Sequence, residues 1–224
     1  MRMKKLPAIA AMFILCASMS VIQTKKKVIF FGDSITQQGA KKGGYIDLIQ
    51  NTINQTNQQD QYELIGAGVS GNKVYDLYLR LDDDVLAKKP DVVFIYIGVN
   101  DVWHKASYGT GTDQDKFEKF YQALIRKIQA IGARVIVCTP AVIGEKKNGE
   151  NNQDSDLDKY SASIRKVANE FKVPVIDLRK TFTQYDKDNN PQDTSKGILT
   201  VDGVHLNDKG NALVAEKMWD ELSK

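Results

Sequence analysis

The sequence predicts one α/β domain, a three-layer α/β/α sandwich around a five-stranded parallel sheet. Five apolar, β-branched runs recur along the chain, each of strand length and without a polar face. Helical patterns fill the intervals between them, and such alternation builds a doubly wound sheet. Composition agrees: 224 residues, 42% hydrophobic and 26% charged, suit one globular domain with a sizeable core.

The first run, KVIFFG (27–32), has the length and branching of a strand covered on both faces. YELIGAG (62–68), DVVFIYIG (91–98), ARVIVCTP (133–140) and VPVIDL (173–178) repeat it. Helical periodicity falls near 44–56, 73–87, 114–131 and 156–171, and a last helix over 207–222 opens on Asn207 as its N-cap. The charged stretches RLDDDVLAKK and GEKKNGENNQDSDLDK read as solvated helix ends and surface loop.

Residues 1–20 stand apart. Arg2, Lys4 and Lys5 precede an apolar run from Leu6 to Cys16, and Ala17, Ser18 and Ser20 follow it, as in an export signal. The run is well short of the ~20 residues a spanning helix needs, so no stable span is expected in the mature form. The working domain is therefore expected over 21–224, in a periplasmic or secreted protein. Lipidation at Cys16 is the alternative, but Leu15 is bulkier than the residue such a signal places before its cysteine. Removing residues 1–20 subtracts three basic residues and no acidic ones from totals of 31 and 28, leaving 28 of each sign. That balance carries no electrostatic footprint of a nucleic-acid partner. Cys138, the cysteine outside the leader, sits in a strand run, where a buried small hydrophobe is expected rather than a nucleophile.

In a doubly wound sheet, ligands bind beyond the carboxyl ends of the strands, where strand order reverses. Residues following each strand converge there: Asp33 and Ser34 after the first, Gly68 to Asn72 after the second, Gly98, Asn100 and Asp101 after the third. TVDGVHLND (200–208) adds Asp202 and His205 just before the last helix. An aspartate three residues before a histidine can hold the ring's Nδ1 and leave Nε2 facing outward. A serine near Nε2 then has a base for its proton, and Ser34 is the candidate.

These residues resemble a known family over essentially the whole mature chain: the SGNH hydrolases, also called GDSL-type esterases and lipases. FFGDSIT resembles the family's first motif, GAGVSGN its second, IGVND its third and DGVHLN its last. The first motif departs from the family only in ending Gly-Asp-Ser-Ile rather than in leucine. The resemblance implies a flavodoxin-like sheet order and a carboxylic ester hydrolase without cofactor or metal. It also implies Ser34 as nucleophile, Asp202 and His205 as its partners, and an oxyanion hole from Ser34, Gly71 and the Asn100 side chain. Asp33 is read as an acceptor holding the turn's backbone, a solvated aspartate being the alternative. Asp33, Trp103, His104 and Tyr108 are the candidate substrate-binding residues; the last three lie in NDVWHKASYGTGT, read as a loop over the crevice that is either a substrate wall or a folded loop with Trp103 packed beneath it.

Other readings fit less well. Gly66 to Gly71 match G-x-G-x-x-G after a strand, but the next strand has its aspartate, Asp91, at the wrong end for a ribose. Asp186, Asp188 and Asn190 begin like a calcium loop, yet Pro191 stands where glycine is required and Gly197 where the bidentate glutamate belongs; the segment is read as a turn. The two histidines, His104 and His205, leave few ligands for zinc. Polar stretches around the crevice favour short acyl esters of polar or carbohydrate alcohols. The alternatives are a lysophospholipase or thioesterase acting on longer chains, or a glycan-binding pseudoenzyme.

Overall fold

The computed structural model describes residues 24–224; the leader reading and Cys16 lie outside the described residues. Five strands form one parallel sheet: β1 (Lys26–Gly32), β2 (Tyr62–Gly68), β3 (Val92–Tyr96), β4 (Arg134–Cys138) and β5 (Val175–Ile176). Their order is β2-β1-β3-β4-β5, so the direction of winding reverses between β1 and β3. The expected flavodoxin-like arrangement is the one observed.

Among the described residues eight α-helices surround the sheet: α1 (Ser34–Gly39), α2 (Tyr45–Gln55), α3 (Val74–Asp84), α4 (Val99–Tyr108), α5 (Gln114–Ala130), α6 (Asp154–Phe171), α7 (Leu178–Asn189) and α8 (Asp208–Leu222). Strand side chains alternate between two cores. Val28, Phe30, Phe94 and Ile136 face Ile49 and Ile53 of α2, Phe182 of α7, and Val214 and Met218 of α8. Ile29, Phe31, Val93 and Val135 face Leu77 and Leu81 of α3, Leu124 and Ile128 of α5, and Ile164 and Val167 of α6. Each such fully buried side chain contributes about 1.5–3 kcal/mol by leaving water, which makes the three-layer arrangement self-supporting.

Several sequence expectations change. The stretch read as a crevice loop is α4: Gly98, at φ +131°, turns the chain out of β3, and Val99 and Val102 anchor the helix in one core each. The segment around Asp186 is the last turns of α7 rather than a free turn; Leu178 and Phe182 bury one narrow stripe, and the remaining face is polar. The solvated reading of GEKKNGENNQDSDLDK fails at Glu145 and Asp154, both buried. Asn207 does cap α8, its side chain accepting the Gly210 N–H at 3.0 Å. Cys138 is buried and free, as expected of a small hydrophobe.

Candidate active site

The tip of β1 is built for close approach. A Cβ on Gly32 would lie 2.3 Å from Thr36 Oγ1 and 2.4 Å from the Tyr96 carbonyl, so only glycine fits between β1, α1 and β3. Asp33 caps α1 by accepting the Ile35 N–H at 2.9 Å. It is 1% exposed, so the solvated alternative does not hold, and its carboxyl faces the turn's backbone as an acceptor. Burial raises its pKa to about 7, with the Asp101 charge adding to the rise and the Ile35 N–H opposing it. Ser34 follows as the first residue of α1, where helical N–H groups have no intrahelical acceptor.

His205 reaches Ser34 from the other end of the chain. Its Nε2 lies 2.9 Å from Ser34 Oγ and its Nδ1 2.7 Å from Asp202 Oδ2. Asp202 Oδ1 also accepts the backbone N–H groups of Val204 (3.0 Å) and His205 (2.8 Å), so one carboxylate orders both loop and ring. Gly203, at φ +97°, allows that turn, and the Thr200–Leu206 bridge closes the loop. Partial burial pushes the Asp202 pKa up, but hydrogen bonds from the His205 ring and the two N–H groups outweigh it and hold the carboxyl below its ordinary value.

The second and third motifs meet beside Ser34's strand. Gly71 has φ +76°, a conformation glycine adopts without strain. Asn100, 2% exposed, donates through Nδ2 to the Asn72 carbonyl at 3.0 Å, which fixes the amide plane. Asp101 accepts the Val74 N–H at 3.1 Å and the Thr112 hydroxyl at 2.5 Å, tying α4 to the start of α3; burial raises its pKa to about 7. His104 stands beside Gly71, since a Cβ there would lie 3.9 Å from its Cε1. Burial and Lys73 lower the pKa of His104. Its ring meets Tyr108 edge-on at 5.2 Å; Tyr108 is exposed, whereas Trp103 packs on the core.

Arg80 escaped the sequence reading. From α3 it donates to the carbonyls of Gly32 (2.7 Å) and Ala67 (3.0 Å) and to Asn72 Oδ1 (2.7 Å), tying together the tips of β1 and β2 and the loop behind them. No motif marks it; an amphipathic helix carries many arginines, and only the sheet order brings this one to the strand tips.

A family model described as the GDSL-like lipase/acylhydrolase family matches residues 30–213. The chain belongs to this family. Acetylxylan esterase of Geobacillus stearothermophilus is 26% identical over 216 residues, 90% of this chain and 95% of the relative. A solved acetyl xylan esterase, AlAXEase, superposes with a TM-score of 0.87 at 60% identity, covering 88% of this chain and 99% of its own. A lipoprotein of Bacillus subtilis (strain 168), YqeF, is 25% identical over 218 residues, 86% of this chain and 88% of the relative. This GDSL-like acylhydrolase is a carboxylic ester hydrolase.

Proposed function

We propose that the protein is an exported serine esterase that removes short acyl groups, acetyl foremost, from carbohydrate or other polar alcohols. The observation that carries this is the unbroken relay from Asp202 through His205 to Ser34, 2.7 Å and then 2.9 Å long. Its likeness to acetylxylan esterases supports the substrate class.

Ser34 Oγ attacks the ester carbonyl carbon as His205 Nε2 takes the hydroxyl proton, and Asp202 stabilises the imidazolium. Negative charge moves to the carbonyl oxygen, where the N–H groups of Ser34 and Gly71 and the Asn100 amide hold it. Each such donor is worth about 3–4 kcal/mol in the transition state. Collapse breaks the ester C–O bond, and the leaving alcohol takes its proton from His205. Water, deprotonated by His205, then attacks the acyl-serine; collapse returns the proton to Ser34 and releases the acid. His104 and Tyr108 border this centre as the side wall for the alcohol.

Steady-state kinetics of Ser34→Ala, His205→Ala and Asn100→Ala on acetylated xylo-oligosaccharides test the reading. The first two should lose several orders of magnitude in kcat non-additively. The third should lose about 10²–10³ with KM nearly unchanged. A serine-directed phosphonate should label Ser34 alone; full activity of Ser34→Ala would refute the mechanism. Export with removal of residues 1–20 draws support from the basic-apolar-small pattern and the likeness to a lipoprotein. Intact mass of the protein recovered outside the cytoplasm decides it, an uncleaved leader being the contrary result.

A further inference from the structure

We propose that Glu145 is a positioning residue for this hydrolysis, anchoring the loop that carries Asp202 and His205. The role presupposes those two residues as acid and base of the esterase.

Glu145 follows β4 in a charged stretch, yet it is 0% exposed. Its Oε2 accepts the Ile198 N–H at 2.8 Å, and its Oε1 accepts the N–H groups of Leu199 and Thr200, both at 2.7 Å. Three consecutive backbone donors therefore end on one carboxylate, immediately before the turn that presents Asp202 and His205. The carboxylate suits the task because it has acceptors and no donor; an amide would set its own N–H groups against one of these.

The anchor continues into the turn. Thr200 Oγ1 accepts the Gly203 N–H at 2.9 Å, and the Gly203 carbonyl accepts the Gly144 N–H at 2.8 Å. Glu145 is itself held, its N–H donating to the Ser195 carbonyl at 3.0 Å and its carbonyl accepting Asn190 Nδ2 at 2.8 Å. On the opposite side of the turn, the Asn207 N–H bonds the Leu199 carbonyl at 2.9 Å, and Val201 N–H bonds the His205 carbonyl at 2.8 Å. The N–H groups of 198–200 thus face Glu145 while the carbonyl of Leu199 faces the returning chain. Asp202 stands two positions beyond Thr200, the last residue of this anchor, and His205 five, and no strand or helix of the sandwich intervenes to hold them. Small misplacement of a base relative to its nucleophile costs large factors in rate, so the anchor acts on kcat.

Kinetics of Glu145→Gln, His205→Ala and the double variant on an acetyl ester test this. Glu145→Gln should lower kcat by about 10–100-fold with KM unchanged. In the His205→Ala background, whose residual rate comes from the oxyanion hole and binding, it should cost nothing more, because its effect passes through the base. An unchanged kcat in folded Glu145→Gln overturns the proposal. So does an equal fractional loss in both backgrounds, which marks a general structural residue. Full activity in His205→Ala overturns the triad instead, and the positioning role with it. Should Glu145→Gln fail to fold, Glu145→Asp, which keeps the acceptors on a shorter arm, is measured in both backgrounds and judged by the same outcomes.

Discussion

At the tip of β1 two neighbouring side chains part ways: Ser34 Oγ meets His205, while Asp33 turns its carboxyl into the protein to cap α1. A serine and an aspartate at a strand end are visible in sequence; that both are buried, the aspartate facing the N–H of Ile35 and the serine facing His205, is decided by packing among segments remote in the chain. The burial has a pH signature. Asp33 has a pKa of about 7 in the fold against 3.8 ordinarily, so between those values the unfolded chain has lost a proton that the folded chain keeps. Stability from this group is therefore fully present below pH 3.8 and is lost as pH rises through about 7. Asp33→Asn retains an oxygen for the Ile35 N–H but cannot ionise. Relative to wild type it should gain thermal stability steadily from pH 4 to about pH 7 and hold a constant advantage above. Melting curves across that range check this, and a pH-independent difference would contradict it.

Elements show where periodicity is sufficient and where it is not. The five strands and the helices α2, α3, α5, α6 and α8 stand where the apolar patterns put them, because each buries a regular face against one of two cores. The ends of β5 do not: only Val175 and Ile176 pair, since β4 offers partners at Val137 and Cys138 alone. Helices α4 and α7 escaped because they follow glycine-turned or short strands and bury only two apolar side chains each, Val99 and Val102 in α4 and Leu178 and Phe182 in α7. Arg80 is an element-level link, since one guanidinium on α3 bonds the ends of β1 and β2. Its bonds run from Nε and Nη2 in a fixed fork that lysine cannot reproduce. Arg80→Lys should therefore lower kcat about tenfold and destabilise by about 1–3 kcal/mol, as the strand-tip carbonyls and Asn72 Oδ1 lose this shared donor. Kinetics and denaturant melts measure both; unaltered kcat would separate Arg80 from the site.

On the scale of the whole molecule, chain-length preference follows from what surrounds Ser34. A fatty chain needs a continuous apolar channel, each buried methylene contributing about 0.8 kcal/mol. An apolar-walled cavity of about 420 Å³ does exist, but it lies on α3 and α5 between Tyr75, Leu79 and Phe120, with neither Ser34 nor His205 in its walls. kcat/KM on p-nitrophenyl esters is accordingly expected to peak between acetyl and butyryl and to fall beyond; an optimum at eight carbons or longer would reverse the substrate class. The α/β class, the five strands and the Asp202–His205 pair were legible in sequence, because periodicity and short spacing are local and each residue's neighbours in the chain reveal its burial. The order β2-β1-β3-β4-β5 and the pairing of Ser34 with His205 across 171 residues follow from the motifs' resemblance to the family; tertiary structure alone decided the burial of Asp33, the reach of Arg80 to the strand tips and the attachment of Glu145 to a loop more than fifty residues away. A carboxylate or guanidinium reads as a solvated charge until the fold brings its partners, because its burial is stable only once distant backbone donors or acceptors replace the water it gives up.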